Sequence, residues 1–235
     1  MDDSYQEYGF VWADDIDLSA EISAIKDELR HLSFRFQGGG VRNAEKKFTT
    51  VRALIGSRQL QQVAQRYVDD KIDVVRAILF NKSQDNNWLV TWHQDKTIAV
   101  AKRHDVAGWG PWSIKDGCHH VQPPEHLLNR RVTFRIHIDD ADKDNGCLKV
   151  IPRSHRYGAL SPEAIQQCVA NASPVYCTAI SGSTLVMHPM ILHASSKAKV
   201  ACSVRNANFM RQPDIGTIHY SVFSNDNSPV EQLFY

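Results

Sequence analysis

Val132-Thr133-Phe134-Arg135-Ile136-His137-Ile138 alternates between apolar and polar residues without a break. Successive side chains on a strand point to opposite faces, so this stretch predicts a strand with Val132, Phe134, Ile136 and Ile138 on one face and Thr133, Arg135 and His137 on the other. One face is apolar and the other polar. Downstream, Asp142 to Gly146 forms a turn into a further strand over 147–151, and Ser161-Pro162-Glu163 opens a short helix by the cap-then-proline rule. Residues 175–180, 184–187, 204–210 and 217–223 are also short and rich in β-branched or aromatic residues. Upstream the same character holds over 74–80, 88–92 and 97–101, with polar turn clusters such as 83–87 between them. Many short strands of this kind mark a sandwich or barrel.

The segment before the strands is different. Leu18, Ile22, Ile25 and Leu29 recur at helical spacing, with Asp17 or Ser19 as the N-cap. Gly38-Gly39-Gly40 interrupts the pattern before Val41-Arg42-Asn43. Ser57 then caps a second helix with an apolar face of Leu60, Val63, Ala64 and Tyr67. The expected organisation is one domain over 1–235, with a helical part to about residue 70 and a β core from about 74 to 223.

Composition narrows the function classes. Lys and Arg number 27 against 26 Asp and Glu, a formal net charge of +1, which provides no field to attract nucleic acid or an anionic membrane. Cys118, Cys147, Cys168, Cys177 and Cys202 are scattered and include no C-x-x-C pair, which argues against a disulfide framework and a thiolate zinc site. The first residues lack a signal-peptide pattern, and no apolar run approaches a spanning length of about 18 residues. A cytoplasmic protein acting on a small molecule is expected, with no nucleic-acid or membrane partner and the oligomeric state open.

The chemistry centres on Trp92-His93-Gln94-Asp95. On a strand, positions i and i+2 project to the same face, so His93 and Asp95 converge on one ion. Two histidines and a carboxylate on one face of a metal leave its other positions open, the arrangement of non-haem iron oxygenases. His193 is the candidate third ligand. It ends the apolar run 187–192 and is followed by Arg205, whose fork binds a carboxylate through two parallel hydrogen bonds. His188, before Pro189, and His155, at the end of Pro152-Arg153-Ser154-His155, are read as structural.

A triplet such as H-x-D recurs by chance, whereas a series of motifs in order is far more specific. Ala77-Ile78-Leu79-Phe80-Asn81-Lys82, Trp92-His93-Gln94-Asp95, His120-Val121-Gln122-Pro123-Pro124, the run from Asn145-Gly146-Cys147 to Arg153-Ser154-His155, and Leu192-His193-Ala194-Ser195-Ser196 together resemble the phytanoyl-CoA dioxygenase family. The resemblance extends from about Gly40 to about Met210. It implies a mainly β fold with flanking helices, a double-stranded β-helix of the jelly-roll, cupin-like kind, with iron near one mouth. It further implies Fe(II), 2-oxoglutarate and O2 as the reactants at His93, Asp95 and His193. Arg205 then matches the arginine that grips the far carboxylate of 2-oxoglutarate, and Ser195 a hydroxyl that assists it. Ile78 matches an apolar contact with the cosubstrate, Gln94 the glutamine after the first ligand, and Arg42 an upstream lysine. Arg135 departs from the pattern, because better-known members resemble one another in having tryptophan there; it and His137 are candidates to bind an anionic substrate or the cosubstrate.

The activity so implied is hydroxylation of a small molecule, with oxidative decarboxylation of 2-oxoglutarate to succinate and CO2. The presence of Asp95 favours hydroxylation over halogenation. Two other classes stay open: a metal-binding jelly-roll sensor without turnover, and a cupin-type metalloenzyme that does not use 2-oxoglutarate. Trp88 and Gly108-Trp109-Gly110-Pro111-Trp112 read equally as a lid or as loop packing. His120 and Gln122 are candidates to line the pocket. No feature demands a coenzyme A thioester.

Overall fold

The computed structural model describes residues 3–31, 40–68, 71–80, 87–103, 106–199 and 217–225; the expected strand 204–210, with Arg205, lies outside them. In chain order the elements are α1 (Asp3–Tyr8), β1 (Phe10–Trp12), α2 (Ser19–His31), β2 (Val41–Arg42), α3 (Ala44–Lys47), α4 (Thr49–Ile55) and α5 (Arg58–Ala64). Then come β3 (Lys71–Phe80), β4 (Val90–His93), β5 (Ile98–Val100), β6 (Trp112–Lys115), β7 (Cys118–Val121), α6 (Glu125–Leu128), β8 (Arg131–His137) and β9 (Leu148–Val150). A 3-10 turn (Ser154–Tyr157), α7 (Pro162–Ala170), β10 (Val175–Cys177), β11 (Thr184–Met187), β12 (His193–Ser195) and β13 (Thr217–Asn225) complete the series.

The helices start where local chemistry satisfies their first amide groups. Asp17 Oδ1 accepts the N–H of Ser19 at 2.9 Å ahead of α2, Ser57 caps α5, and Ser161 with Pro162 opens α7. No side chain adjacent in sequence caps α4. Instead Glu28, from α2, accepts the N–H groups of Thr49 and Thr50 at 3.0 Å each, together with both hydroxyls.

Among the described residues all strand pairs are antiparallel. One sheet has the order β1-β11-β8-β13-β3-β2, a second β10-β9-β12-β4, and a third β5-β7-β6. The alternation read from 132–138 now has its physical cause. Val132, Phe134 and Ile136 are fully buried on the outer face of the six-stranded sheet, in one cluster with Ile22, Ile25 and Leu29 of α2, Val51 and Leu54 of α4, and Leu60 and Val63 of α5. Burying each such side chain contributes about 1.5–3 kcal/mol. Ala77 and Leu79 of β3, Ile218 and Val222 of β13, and Val186 of β11 join the same layer.

The inner face of this sheet looks toward the four-stranded sheet, making a jelly roll. At one end the space is apolar, filled by Leu185 and Met187 of β11, Leu148 and Val150 of β9, Cys177 and Ile191, with Phe10 and Trp12 of β1 packed against them. At the other end it is polar. Register places Trp12, Leu185, Arg135, His219, Ile78 and Arg42 side by side in one row across all six strands. Arg131, Thr133, Arg135 and His137 therefore form the inner face of β8. The described cysteines, Cys118, Cys147, Cys168 and Cys177, are free thiols. No described helix is long and apolar enough to cross a membrane.

Candidate metal centre and its cavity

β12 lies beside β4 in the four-stranded sheet, and the register sets His193 directly opposite His93. Asp95 follows two residues after His93, held by its own N–H donating to Pro189 O at 2.8 Å. The two imidazoles are oriented alike. His93 Nδ1 lies 2.8 Å from Thr91 O and His193 Nδ1 lies 2.9 Å from Ile191 O. A carbonyl oxygen only accepts, so each Nδ1 carries the proton and each Nε2 presents its lone pair. Those lone pairs face one carboxylate: His93 Nε2 is 4.0 Å from Asp95 Oδ1, and His193 Nε2 is 3.9 Å from Asp95 Oδ2. Metal bonds of about 2.0–2.2 Å at right angles put neighbouring donors about 3 Å apart, so small side-chain rotations bring all three onto one ion. Among the described residues this is the one such group of three His, Cys, Asp or Glu side chains.

Electrostatics favour the ligating forms. Burial, then the neighbouring His93, pulls His193 down to about 3, leaving a neutral imidazole. Burial alone would raise the Asp95 carboxyl, but the adjacent His193, the hydrogen bond from His219 and the proximity of His93 hold it well below its usual range. His219 reaches Asp95 from the opposite sheet, with Nε2 3.1 Å from Oδ2. Since an ionised carboxylate accepts only, Nε2 donates and leaves Oδ1 to a metal. Arg131 secures the same segment, with Nη1 donating to Thr97 O at 2.8 Å and Nη2 to Asp95 O at 2.7 Å. Nothing in the spacing of Arg131 or His219 marks them in the sequence.

The centre opens into a cavity of about 530 Å³ between the sheets. Ile78 and Ser195, the contacts expected from the resemblance, line it, and so do Arg135, His137, Arg76 and Trp88. Other expected residues fall elsewhere. Gln94 is buried away from the cavity, its Nε2 donating to Gly158 O at 2.8 Å and Met190 O at 2.7 Å while its Oε1 accepts from Leu160 N–H at 2.8 Å. Its position between His93 and Asp95 sends it to the opposite side of the chain. Arg42 is exposed on the edge strand β2 and is not part of the lining. His120 and Gln122 do not line it either; His120 Nδ1 lies 3.3 Å from Arg76 Nη1. Trp109 and Trp112 pack against Ile98, Val100 and Val121 of the three-stranded sheet, which is the packing reading of that loop. His188 stands outside the ligand group and accepts the N–H of Met190 at 3.1 Å.

Comparison with known proteins follows the same direction. A family model described as phytanoyl-CoA dioxygenase (PhyH) matches residues 5–206. No curated protein matches the chain. Among solved structures, the chain is similar to AviO1 from Streptomyces viridochromogenes Tue57, at 20% identity and a TM-score of 0.64, covering 96% of this chain and 94% of that one. It is similar to EctD from S. alaskensis with 2-oxoglutarate and 5-hydroxyectoine, at 15% identity and a TM-score of 0.68, covering 95% and 75%. HygX from Streptomyces hygroscopicus, with nickel and 2-oxoglutarate bound, matches at 13% identity and a TM-score of 0.61, covering 94% and 84%.

Proposed function

Because this chain belongs to the phytanoyl-CoA dioxygenase family, we propose that it is an iron(II)- and 2-oxoglutarate-dependent oxygenase that hydroxylates a small molecule. The observation that carries this reading is the convergence of His93 Nε2, His193 Nε2 and the Asp95 carboxylate, with both imidazoles fixed in the ligating tautomer. Two nitrogens and one carboxylate oxygen suit ferrous iron, and three protein ligands on one face leave room for a chelating cosubstrate and oxygen. Iron and 2-oxoglutarate supply the oxygen activation and the oxidative decarboxylation to succinate and CO2.

The protein's part is binding and exclusion. Asp95 occupies a coordination position that halide would otherwise take, which supports hydroxylation as the outcome. Ile78 offers an apolar wall to the cosubstrate, and Ser195 a hydroxyl. Arg205 is the carboxylate grip named by the resemblance and lies outside the described residues. Phe80, Trp88, Val90 and Leu148 make much of the remaining wall apolar, which keeps water from the reacting carbon. A cavity of about 530 Å³ holds a small substrate beside the cosubstrate.

The test is succinate production from 2-oxoglutarate under oxygen, with iron and ascorbate. Formation of succinate by the wild type and its loss in His93→Ala and His193→Ala is the expected result. Retained metal without consumption of 2-oxoglutarate, over a broad substrate panel, would turn the assignment toward a binding module.

A further inference from the structure

We infer that the primary substrate carries an anionic group, and that Arg76, from β3, is the residue that receives it. The inference rests on the proposed function and deepens it by naming a substrate class.

Its ground is the inner face of β3. Ala77 and Leu79 point outward into the helical layer, so Arg76, Ile78 and Phe80 turn inward, and all three line the cavity. Ile78 pairs with His219 of β13, and Arg76 with Ser221. Arg76 therefore stands two residues, about 6.8 Å, along the strand from the row that holds His219 and the expected cosubstrate contact Ile78. That step leaves the cosubstrate to the metal and to the contacts already given to it. It puts a cation where a second molecule would lie beside the first.

The second observation is what holds the guanidinium. β7 carries the start of the His120-Val121-Gln122-Pro123-Pro124 motif to this point: His120 is buried, with Nδ1 3.3 Å from Arg76 Nη1. Burial, then Arg76 itself, pulls His120 down to about 4, so the ring is neutral and its Nδ1 accepts from the guanidinium. A neutral acceptor fixes the direction of the fork without discharging it. Among the described residues no carboxylate is in ion-pair contact with Arg76; Asp95 and Glu45 act on it only through space, against Arg42. A largely buried cation left in this condition costs free energy that an arriving anion recovers. The rest of the wall suits an anion with an apolar body. Phe80 and Trp88 stand with ring centroids 6.4 Å apart, and Val90 and Leu148 line the same cavity. An arginine fork takes a carboxylate or a phosphate through parallel hydrogen bonds, so the shared chemistry is that of a small organic anion.

The experiment uses the full chain loaded anaerobically with manganese(II) and saturated with 2-oxoglutarate, so that the cosubstrate's place is filled. It is titrated calorimetrically with hexanoate, hexyl phosphate and hexanamide, which share a chain and differ in the head group. Wild type should bind one or both anions more tightly than hexanamide, and the tighter of the two names the head group. R76Q should bring that anion down to the level of hexanamide, a loss on the order of 10- to 100-fold, and keep the wild-type affinity for 2-oxoglutarate. R76K should recover part of the preference. Bound manganese and the circular dichroism spectrum report folding, and R76M replaces R76Q should the latter not fold. Anions bound by the wild type no better than hexanamide, or not at all, would overturn the inference, as would a preference that survives R76Q. An equal loss of 2-oxoglutarate affinity in R76Q would overturn it too, by giving Arg76 to the cosubstrate and leaving the proposed function intact. No binding of 2-oxoglutarate by the wild type would overturn both.

Discussion

Replacing His219 by leucine removes one donor from the metal-ligating carboxylate and leaves the three ligands in place. In the wild type the Nε2–H of His219 reaches Asp95 Oδ2 across 3.1 Å inside the sandwich. A hydrogen bond to a charged group is worth about 1.5–3 kcal/mol. Without it the buried carboxylate loses a partner for its negative charge and the constraint that turns Oδ1 to the metal. Divided by about 1.4 kcal/mol per decade, the loss is about 10- to 100-fold in metal affinity, the range found for partners behind the ligands of other metal sites. Leucine also fills the space of the imidazole and removes His219 Nδ1, which is buried without a partner, so folding stability should fall much less than metal affinity. The assay is competition between the protein and a chromophoric chelator for manganese(II) at fixed pH, with His219→Gln retaining part of the affinity through its amide. A dissociation constant for His219→Leu within a factor of two of wild type would refute the claim that His219 orients Asp95.

Other expectations are more local. His188→Ala should leave metal stoichiometry unchanged by atomic absorption, because His188 lies outside the ligand group; loss of the metal would mean that the distal ligand is wrongly assigned. Gln94→Ala strips three bonds from the backbone of Gly158, Leu160 and Met190 and should lower stability by about 1–3 kcal/mol in urea unfolding; an unchanged midpoint would contradict the clamp. Glu28 shows the sign of a pH effect. Burial alone would raise its pKa, but the bonds from Thr50 and Thr49 outweigh this and lower it from 4.5. Its contribution is therefore complete above the unfolded value and is lost as pH falls through the folded one. Glu28→Gln should cost about 1 kcal/mol at neutral pH and much less in acid, and an equal cost at both pH values would contradict the assignment.

The parts of this protein that sequence reveals are those in which one segment determines its own environment. The strict alternation of 132–138 required two unlike faces, and the outer helical layer and inner polar row supply them. His93 and Asp95 share a face because of strand geometry, and the same rule sends Gln94 the other way, although its place after the first ligand suggested a role at the cosubstrate. His219 was not legible as part of the site, although its strand was. The contact with Asp95 exists because β13 is inserted between β8 and β3, and sheet order has no local spacing. The short pairings β1–β11, β2–β3 and β6–β7 were equally hidden, since two to four residues give too little periodicity. Arg42 falls in the inner row of the six-stranded sheet but at its exposed edge, outside the cavity lining.

The central claim is that three side chains separated in sequence enclose one metal ion. Crystals grown without oxygen and soaked in ferrous iron test it through anomalous scattering at the iron edge. The expected map has one strong peak about 2.0–2.2 Å from His93 Nε2, His193 Nε2 and an Asp95 oxygen. A peak at another group, or His193 too far from that ion to bond it, would contradict the account.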